Sequence, residues 1–148
     1  DGRFVAFRSN ASNLVPGDTN GTSDIFLRDR QTGTTTRVSV ATSGVQGNGA
    51  SALPAITPDG RFVAFTSEAS NLVPGDGNGV ADIFLRDLKN GTTVRLSVST
   101  GGVEGDQASV APALSADGRS VMFSSEADNL VPGDRNKALD VFLRILAP

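Results

Sequence analysis

A 58-residue repeat runs through the whole chain and limits the folds that it can adopt. The first two copies are identical at 38 of 58 aligned positions, so both must fold in the same way. They span residues 1–58 and 59–116, and a partial third copy spans residues 117–148. Repeats of this length are single supersecondary units that bury their apolar faces against their neighbours. The chain is therefore interpreted as one continuous repeat segment, 1–148.

Each repeat period contains four short segments typical of β-strands. Around the second copy these are residues 52–57, 61–67, 82–87 and 92–98. The second and third segments are apolar on both faces of the pleat, which predicts a sheet that is covered on both sides. The fourth alternates between apolar and polar residues, with Val94, Leu96 and Val98 expected to face the core. No segment has the 3.6-residue period of a helix.

A four-stranded antiparallel meander repeated in tandem is the pattern of a β-propeller. The predicted fold class is therefore all-β, with propeller blades in 58-residue repeats that stay open over about two and a half copies. An all-β solenoid is the alternative, although solenoid repeats are normally shorter. The first blade lacks its first strand and the third ends after its third strand, so we expect ten strands.

The open ends of this segment predict a protein partner. A closed ring needs roughly four to eight blades, so the segment cannot close one alone. Uncovered blade faces and strand edges invite association. Three arrangements would cover them: the remainder of a longer propeller, a second copy in a six-bladed ring, or copies stacked head to tail as a fibre.

Two motifs carry a resemblance to a known family. Residues 58–67 read Pro-Asp-Gly-Arg-Phe-Val-Ala-Phe-Thr-Ser, and residues 82–87 read Asp-Ile-Phe-Leu-Arg-Asp. Recurring in register along the chain, they resemble the TolB-type, WD-like (Pro-Asp) β-propeller repeat family. The resemblance implies a periplasmic, secreted or cell-surface propeller that serves in protein interaction or as an accessory domain beside a peptidase. The loop at 68–81 departs from the family, which often has a short hairpin there.

The side chains of this sequence exclude most kinds of catalysis. It has no His, Cys, Tyr or Trp, which removes Ser-His-Asp triads, Cys-His pairs and metal centres based on His or Cys. Paired carboxylates remain available for acid–base chemistry. A carboxylate site in the central channel would need acidic residues on the first strand, and residues 52–56 supply none. We therefore expect no enzymatic activity.

Charge and hydropathy exclude two further partners. The net charge of −3 leaves no basic stripe for the phosphates of a nucleic acid. No apolar run approaches the about 18 residues of a membrane-spanning helix, so we expect no membrane insertion.

One recurring loop offers oxygen ligands for a metal ion. Its pattern, Asp-x-Asn-x-x-x-Asp, suits calcium if backbone carbonyls and waters complete about six to eight ligands. The alternative interpretation is a set of Asx turns, in which these side chains only hydrogen-bond their own backbone. The candidate ligands are Asp18, Asn20 and Asp24 in the first copy, Asp76, Asn78 and Asp82 in the second, and Asp134, Asn136 and Asp140 in the third.

Arginine recurs near the end of the predicted third strand, at Arg28, Arg86 and Arg144. We expect Arg28 and Arg86 to form ion pairs with the neighbouring Asp29 and Asp87. Such pairs would be structural rather than part of a ligand site.

The predicted function is a non-catalytic, extracytoplasmic propeller module for protein interaction or structural self-assembly, stabilised by calcium. Its specificity would lie in the long loops at 68–81 and 99–109, because a rigid scaffold commonly presents its binding residues on loops. The alternative function is an accessory propeller domain of a larger secreted or periplasmic enzyme such as a peptidase. A Gly-x-Ser-x-Gly strand–turn–helix further along the same polypeptide would favour that alternative.

Overall fold

The structure, a computed structural model, describes residues 2–146 and forms ten β-strands there, in three antiparallel sheets. Blade 1 consists of β1 (Phe4–Ser9), β2 (Asp24–Asp29) and β3 (Thr34–Arg37). Blade 2 consists of β4 (Ser51–Ile56), β5 (Phe62–Ser67), β6 (Asp82–Asp87) and β7 (Thr92–Arg95). Blade 3 consists of β8 (Ser109–Leu114), β9 (Ser120–Ser125) and β10 (Asp140–Ile145). The predicted all-β class of open propeller blades is confirmed.

Blade 2 is a complete four-stranded meander, in the order β4-β5-β6-β7. Its two central strands are buried along almost their whole length, because blades 1 and 3 cover both faces of the sheet. This is the environment that their doubly apolar sequences predicted. Strand β4 belongs to the first sequence copy, 1–58, but completes the sheet of the second, so blades and sequence copies are offset. Over residues 2–146 no helix has the length and apolar character needed to cross a bilayer.

The apolar core lies in the two gaps between neighbouring blades. We call the face of a blade toward the following blade its outgoing face, and the face toward the preceding blade its incoming face. The first gap buries Ile25, Leu27 and Val38 of blade 1 against Val63, Phe65, Ala69, Leu72 and Phe84 of blade 2. The second gap buries Ala64, Ile83, Leu85 and Leu96 of blade 2 against Val121, Phe123, Ala127 and Leu130 of blade 3. The same repeat positions therefore build both gaps.

The strands β4 and β8 each contain a bulge. The register between β4 and β5 shifts between Ala52 and Ala55, and Leu53 adopts a φ of 52° there. Ala111 adopts a φ of 55° at the equivalent bulge of β8. A positive φ is unfavourable for residues other than glycine, so the sheet around each bulge must hold it in place. The bulge also accommodates Pro54, which has no N–H to donate to a neighbouring strand.

The outer strand β7 is shorter than predicted, and the burial of its side chains differs in part from the prediction. It ends at Arg95, before Leu96, and it buries Thr93 while Val94 is exposed. Thr93 faces blade 1, where its hydroxyl donates a hydrogen bond to the carbonyl oxygen of Val40 at 2.6 Å. Val94 lies opposite Leu85 of β6 and points to the same face as that core residue, but it stays 47% exposed, so the expectation that it is part of the core was wrong.

Candidate functional site

The first predicted calcium loop, between β1 and β2, forms a compact hydrogen-bonded turn. Asn20 Nδ2 donates to Asp24 Oδ2 and to the carbonyl oxygen of Gly47, both at 2.9 Å. Asn20 Oδ1 accepts from the amide of Thr22 at 3.2 Å. The structure therefore brings Asn20 and Asp24 together, with the amide oxygen of Asn20 engaged in an Asx turn.

The second loop, between β5 and β6, repeats this geometry. Asn78 Nδ2 donates to Asp82 Oδ2 and to the carbonyl oxygen of Gly105, both at 2.9 Å. Asn78 Oδ1 accepts from the amide of Val80 at 3.2 Å. The recurrence of every partner shows that the loop conformation is encoded by the repeat.

In blade 1 a guanidinium from the outer strand lies between the two aspartates of the loop. Arg37 Nη1 is 3.2 Å from Asp18 Oδ1 and 3.7 Å from Asp24 Oδ2. The same nitrogen donates to Gln46 Oε1 at 2.8 Å, and Nη2 donates to the carbonyl oxygen of Gly17 at 3.0 Å. All three charged side chains are largely or fully buried. The loop carboxylates thus already have a positively charged partner.

In blade 2 the equivalent guanidinium has one more acidic neighbour. Arg95 Nη1 is 3.1 Å from Asp76 Oδ1, 3.4 Å from Asp82 Oδ2 and 2.8 Å from Glu104 Oε2. Glu104 stands where the first copy has the neutral Gln46. We call Arg95, Asp76, Asp82 and Glu104 the Arg95 cluster; it holds one positive charge against three carboxylates.

The pKa values of two carboxyl groups of the Arg95 cluster are shifted in opposite directions. Burial raises the pKa of Asp76 above its ordinary value, the nearby Asp82 raises it further, and Arg95 opposes both. The pKa of Glu104 is lowered, first by the amide of Gly77, which donates to Oε2 at 3.1 Å, and then by Arg95. Arg95 is therefore the group that favours the charged form of Asp76 against burial and its acidic neighbours.

Arg37 and Arg95 were not predicted to belong to the site. The signal that could have found them is the triplet Arg-x-Ser, which recurs at 37–39 and 95–97. Its serine also belongs to the site, because Ser39 donates to Asp24 Oδ1 and Ser97 donates to Asp82 Oδ1. The triplet thus supplies two side chains that bind the same loop.

The third loop, between β9 and β10, keeps the turn but is more exposed. Asn136 Nδ2 donates to Asp140 Oδ2 at 2.8 Å, and Asn136 Oδ1 accepts from the amide of Ala138 at 2.9 Å. Lys137 adopts a φ of 53° at the position that is glycine in the other two loops. Asp134 and Asp140 are only half-buried.

Calcium at these nine residues stays a prediction. Among residues 2–146, no group of three or more His, Cys, Asp or Glu side chains is arranged to hold a metal ion. In blades 1 and 2, bound calcium would have to share its carboxylates with a guanidinium. The calcium hypothesis predicts a higher midpoint of thermal unfolding in millimolar calcium than in chelator, because a ligand that binds only the folded state stabilises it. Equal midpoints would contradict it and leave arginine as the cation of these loops.

A second pair of interactions recurs at the start of β1 and β5. Arg3 donates to both carboxylate oxygens of Asp29, at 3.0 and 2.8 Å. Arg61 does the same to Asp87, at 3.3 and 2.9 Å. The expected pairing of Asp29 with Arg28 was wrong, because consecutive residues of a strand point to opposite faces of the sheet.

The two ends of the stack of blades expose apolar side chains. On the outgoing face of blade 3, Met122, Val141, Leu143 and Ile145 are all about half exposed or more. Leu143 pairs with Met122 across β9 and β10, so the exposed side chains form a continuous patch.

The fold is that of the β-propeller class of proteins. Residues 2–146 form three adjacent blades of such a propeller. Neither a protein-family model nor a curated protein matches the sequence. Solved structures do match. The putative TolB from Agrobacterium tumefaciens is 19% identical, with a TM-score of 0.58, over 98% of this chain and 42% of that one. TolB from Acinetobacter baumannii is 22% identical, with a TM-score of 0.51, over 97% of this chain and 27% of that one.

A peptidase propeller is also similar. The β-propeller domain of the Trilobed protease from Pyrococcus furiosus is 13% identical, with a TM-score of 0.50, over 97% of this chain and 40% of that one. This chain therefore spans less than half the length of each of these three structures. At these identities the likeness establishes the fold, a set of blades like those of TolB and of peptidase propellers.

Proposed function

We propose that the chain is a non-catalytic propeller module that binds protein through the uncovered sheet faces of its blades. The observation that carries this proposal is the apolar patch of Met122, Val141, Leu143 and Ile145 on the outgoing face of blade 3. A contiguous exposed apolar surface on a folded domain marks an interaction site, because burying it removes it from water.

The state of the carboxylates supports a role without catalysis. Asp24 and Asp82 are fully buried, and each accepts hydrogen bonds from an asparagine and a serine. A general acid or base must reach the proton of a substrate, which these groups do not. Their contacts instead tie each loop to its blade, which makes the blade a rigid support for its surfaces.

An extracytoplasmic location is part of the proposal. Its support is the resemblance of the Pro-Asp-Gly and Asp-Ile-Phe-Leu-Arg motifs to the TolB-type repeat, together with the two TolB structures that share the fold. The long loops at 68–81 and 99–109 would lie on the same rigid scaffold and add to the specificity of binding.

A second candidate function is an accessory domain of a larger peptidase. The observation that favours it is the likeness to the propeller domain of the Trilobed protease. The two candidates differ in what else the same polypeptide carries. A catalytic domain with a Gly-x-Ser-x-Gly strand–turn–helix in the natural gene would favour the accessory role.

Selection of peptides on the isolated chain tests the binding proposal. A random peptide library is selected against sparsely immobilised protein, and the affinities are measured for the wild type and for Leu143→Glu. We expect apolar peptides whose affinity for Leu143→Glu is at least tenfold weaker, because a charge would be buried without a partner.

Val103→Glu is the matched control, since Val103 is as exposed as Leu143 but lies on the hairpin that follows β7. This variant should keep the affinity of the wild type. Peptides that bind all three proteins equally, or the absence of any enriched peptide, would contradict the proposed binding surface.

A further inference from the structure

The outer edge of blade 2 is covered by a hairpin that belongs to the preceding blade. Strand β7 is the last in the order β4-β5-β6-β7, so no strand pairs with its outer side. The hairpin spans residues 40–46, in the connection from β3 to β4, and is closed by an antiparallel bridge between Val40 and Gln46. We call residues 40–46 the cover hairpin.

The hydroxyl group of Thr42 binds the backbone of this edge. Thr42 Oγ1 accepts a hydrogen bond from the amide of Thr93 at 2.9 Å and donates one to the carbonyl oxygen of Thr93 at 3.4 Å. These are the two backbone groups through which Thr93 would pair with a further antiparallel strand. Because outward-pointing residues alternate along a strand, the four-residue β7 has only two of them, Thr93 and Arg95. With Thr93 occupied, no two successive outward residues are left for a partner.

Two side chains on the incoming face of blade 2 hold the cover hairpin in place. Thr93 Oγ1 donates to the carbonyl oxygen of Val40 at 2.6 Å. Arg86 Nη1 donates to the carbonyl oxygen of Ala41 at 3.2 Å and to Thr93 Oγ1 at 3.0 Å. Three successive residues of the hairpin, 40–42, are therefore hydrogen-bonded to blade 2.

The repeat carries this hairpin to the next gap between blades. The equivalent hairpin, residues 98–104, is closed by a bridge between Val98 and Glu104. The residues on either side of Thr42 differ from their counterparts one repeat later, but Thr100 keeps the threonine. Each hairpin thus has a hydroxyl group at the position that contacts the outer edge of a blade.

We propose that the cover hairpin protects the edge of β7 against strand addition by a second copy of the chain. An uncovered strand edge pairs readily with the edge of another chain, and folded proteins prevent this by covering the edge with a loop, among other means. The sequence of β7, Thr-Thr-Val-Arg, is rich in β-branched residues and suits such pairing. The contact joins two adjacent blades within residues 40–95, and this role is separate from the proposed binding face of blade 3.

Hydrogen exchange at the amide of Thr93, followed by NMR in the intact chain, tests the proposal. Thr42→Val keeps the shape of an exposed side chain but removes its hydroxyl group, so the variant should fold. In dilute solution its Thr93 amide should exchange about tenfold faster than that of the wild type, because the amide has lost its acceptor. Two control variants should exchange like the wild type: Thr42→Ser, which keeps the hydroxyl group, and Thr100→Val, which removes that of the next hairpin.

The double variant Thr42→Val/Thr93→Val also loses the bond to Val40 and tests whether the released edge recruits a strand. The amide of residue 93 should exchange fast in dilute solution and more slowly as the protein concentration rises, because a second copy then pairs with the edge. In the wild type this amide should not respond to concentration. The amide of Leu96, which donates to the carbonyl oxygen of Ile83, reports whether the fold is retained.

Two results overturn the proposal. One is exchange at Thr93 in Thr42→Val that is as slow as in the wild type, since the hydroxyl group would then not protect the edge. The other is fast exchange in the double variant that does not change with protein concentration, since the uncovered edge would then recruit no strand. Association through the exposed face of blade 3 leaves exchange at residue 93 unchanged, so a failure of this inference and a failure of the proposed function are distinguishable.

Discussion

Replacing Arg95 with methionine is expected to lower the free energy of unfolding at pH 7 by about 3–5 kcal/mol, the usual cost of removing one partner of a buried ion pair. Methionine retains an apolar side chain of similar length but leaves Asp76, Asp82 and Glu104 without their cation. A single domain is stable by only about 5–15 kcal/mol, so urea unfolding should show a much lower midpoint.

The pH dependence of this loss identifies its electrostatic origin. Burial already raises the pKa of Asp76, and removing Arg95, which lowers it, will raise that pKa further. A carboxyl group whose pKa is higher in the folded state than in the unfolded state favours folding more as the pH falls. The loss caused by Arg95→Met should therefore be smaller at pH 5 than at pH 7.

Two matched variants provide the controls for Arg95→Met. Arg37→Met leaves two carboxylates beside the neutral Gln46, so it should cost less than Arg95→Met. Arg86→Met also removes a partly buried guanidinium, but one that donates to a carbonyl and to a threonine hydroxyl, so its effect should not change between pH 5 and pH 7. Equal, pH-independent losses in all three variants would show that the carboxylates of the Arg95 cluster do not depend on their arginine.

The central strands were predictable from the sequence because their pattern has a single structural explanation. The segment at 82–87 is apolar through Ile83, Phe84 and Leu85, and the structure places β6 at the predicted bounds. The outer strand was less predictable. The buried Thr93 has its hydrogen-bond acceptor at Val40, which lies more than 50 residues away in the sequence. No local pattern contains that information.

The candidate site was predictable in part, for a similar reason. Asp76, Asn78 and Asp82 lie close together in one loop, and their recurrence marked them as a unit. Arg95 reaches them only because β6 and β7 pair in the register that sets Phe84 opposite Arg95. The spacing of residues along the sequence therefore reveals the two aspartates of the site, Asp76 and Asp82. Its arginine, Arg95, is brought to them by strand pairing, which the sequence pattern does not show.

The Pro-Asp-Gly turn shows how one short motif joins two blades. Gly60 has a φ of 73°, and a Cβ atom there would lie 2.5 Å from Cγ of the Phe4 ring in blade 1. The ring is fixed from another side by Arg3, whose guanidinium lies 4.6 Å from the ring centroid. Glycine is therefore required at this position for two reasons, its backbone conformation and the close approach of Phe4.

Gly60→Ala is expected to separate these two reasons when it is compared with Gly79→Ala. Gly79 has a φ of 70°, and no atom lies within 4 Å of the position that a Cβ atom would occupy there. Alanine at Gly79 should therefore cost only the left-handed strain, about 1–2 kcal/mol. At Gly60 the displaced ring should add about 1–3 kcal/mol, as overpacking does in other cores. Urea unfolding of both variants gives the difference in the free energy of unfolding.

Repeating Gly60→Ala in a Phe4→Ala background tests the cause of that difference. Without the ring, the alanine should cost no more than it does at Gly79, because only the strain of the backbone remains. An unchanged cost in the double variant would mean that Phe4 does not oppose the methyl group, and that the Pro-Asp-Gly turn holds glycine for its conformation alone. A cost that falls to the level of Gly79→Ala would make this turn a contact between blades, set by the fit of a glycine against a phenyl ring.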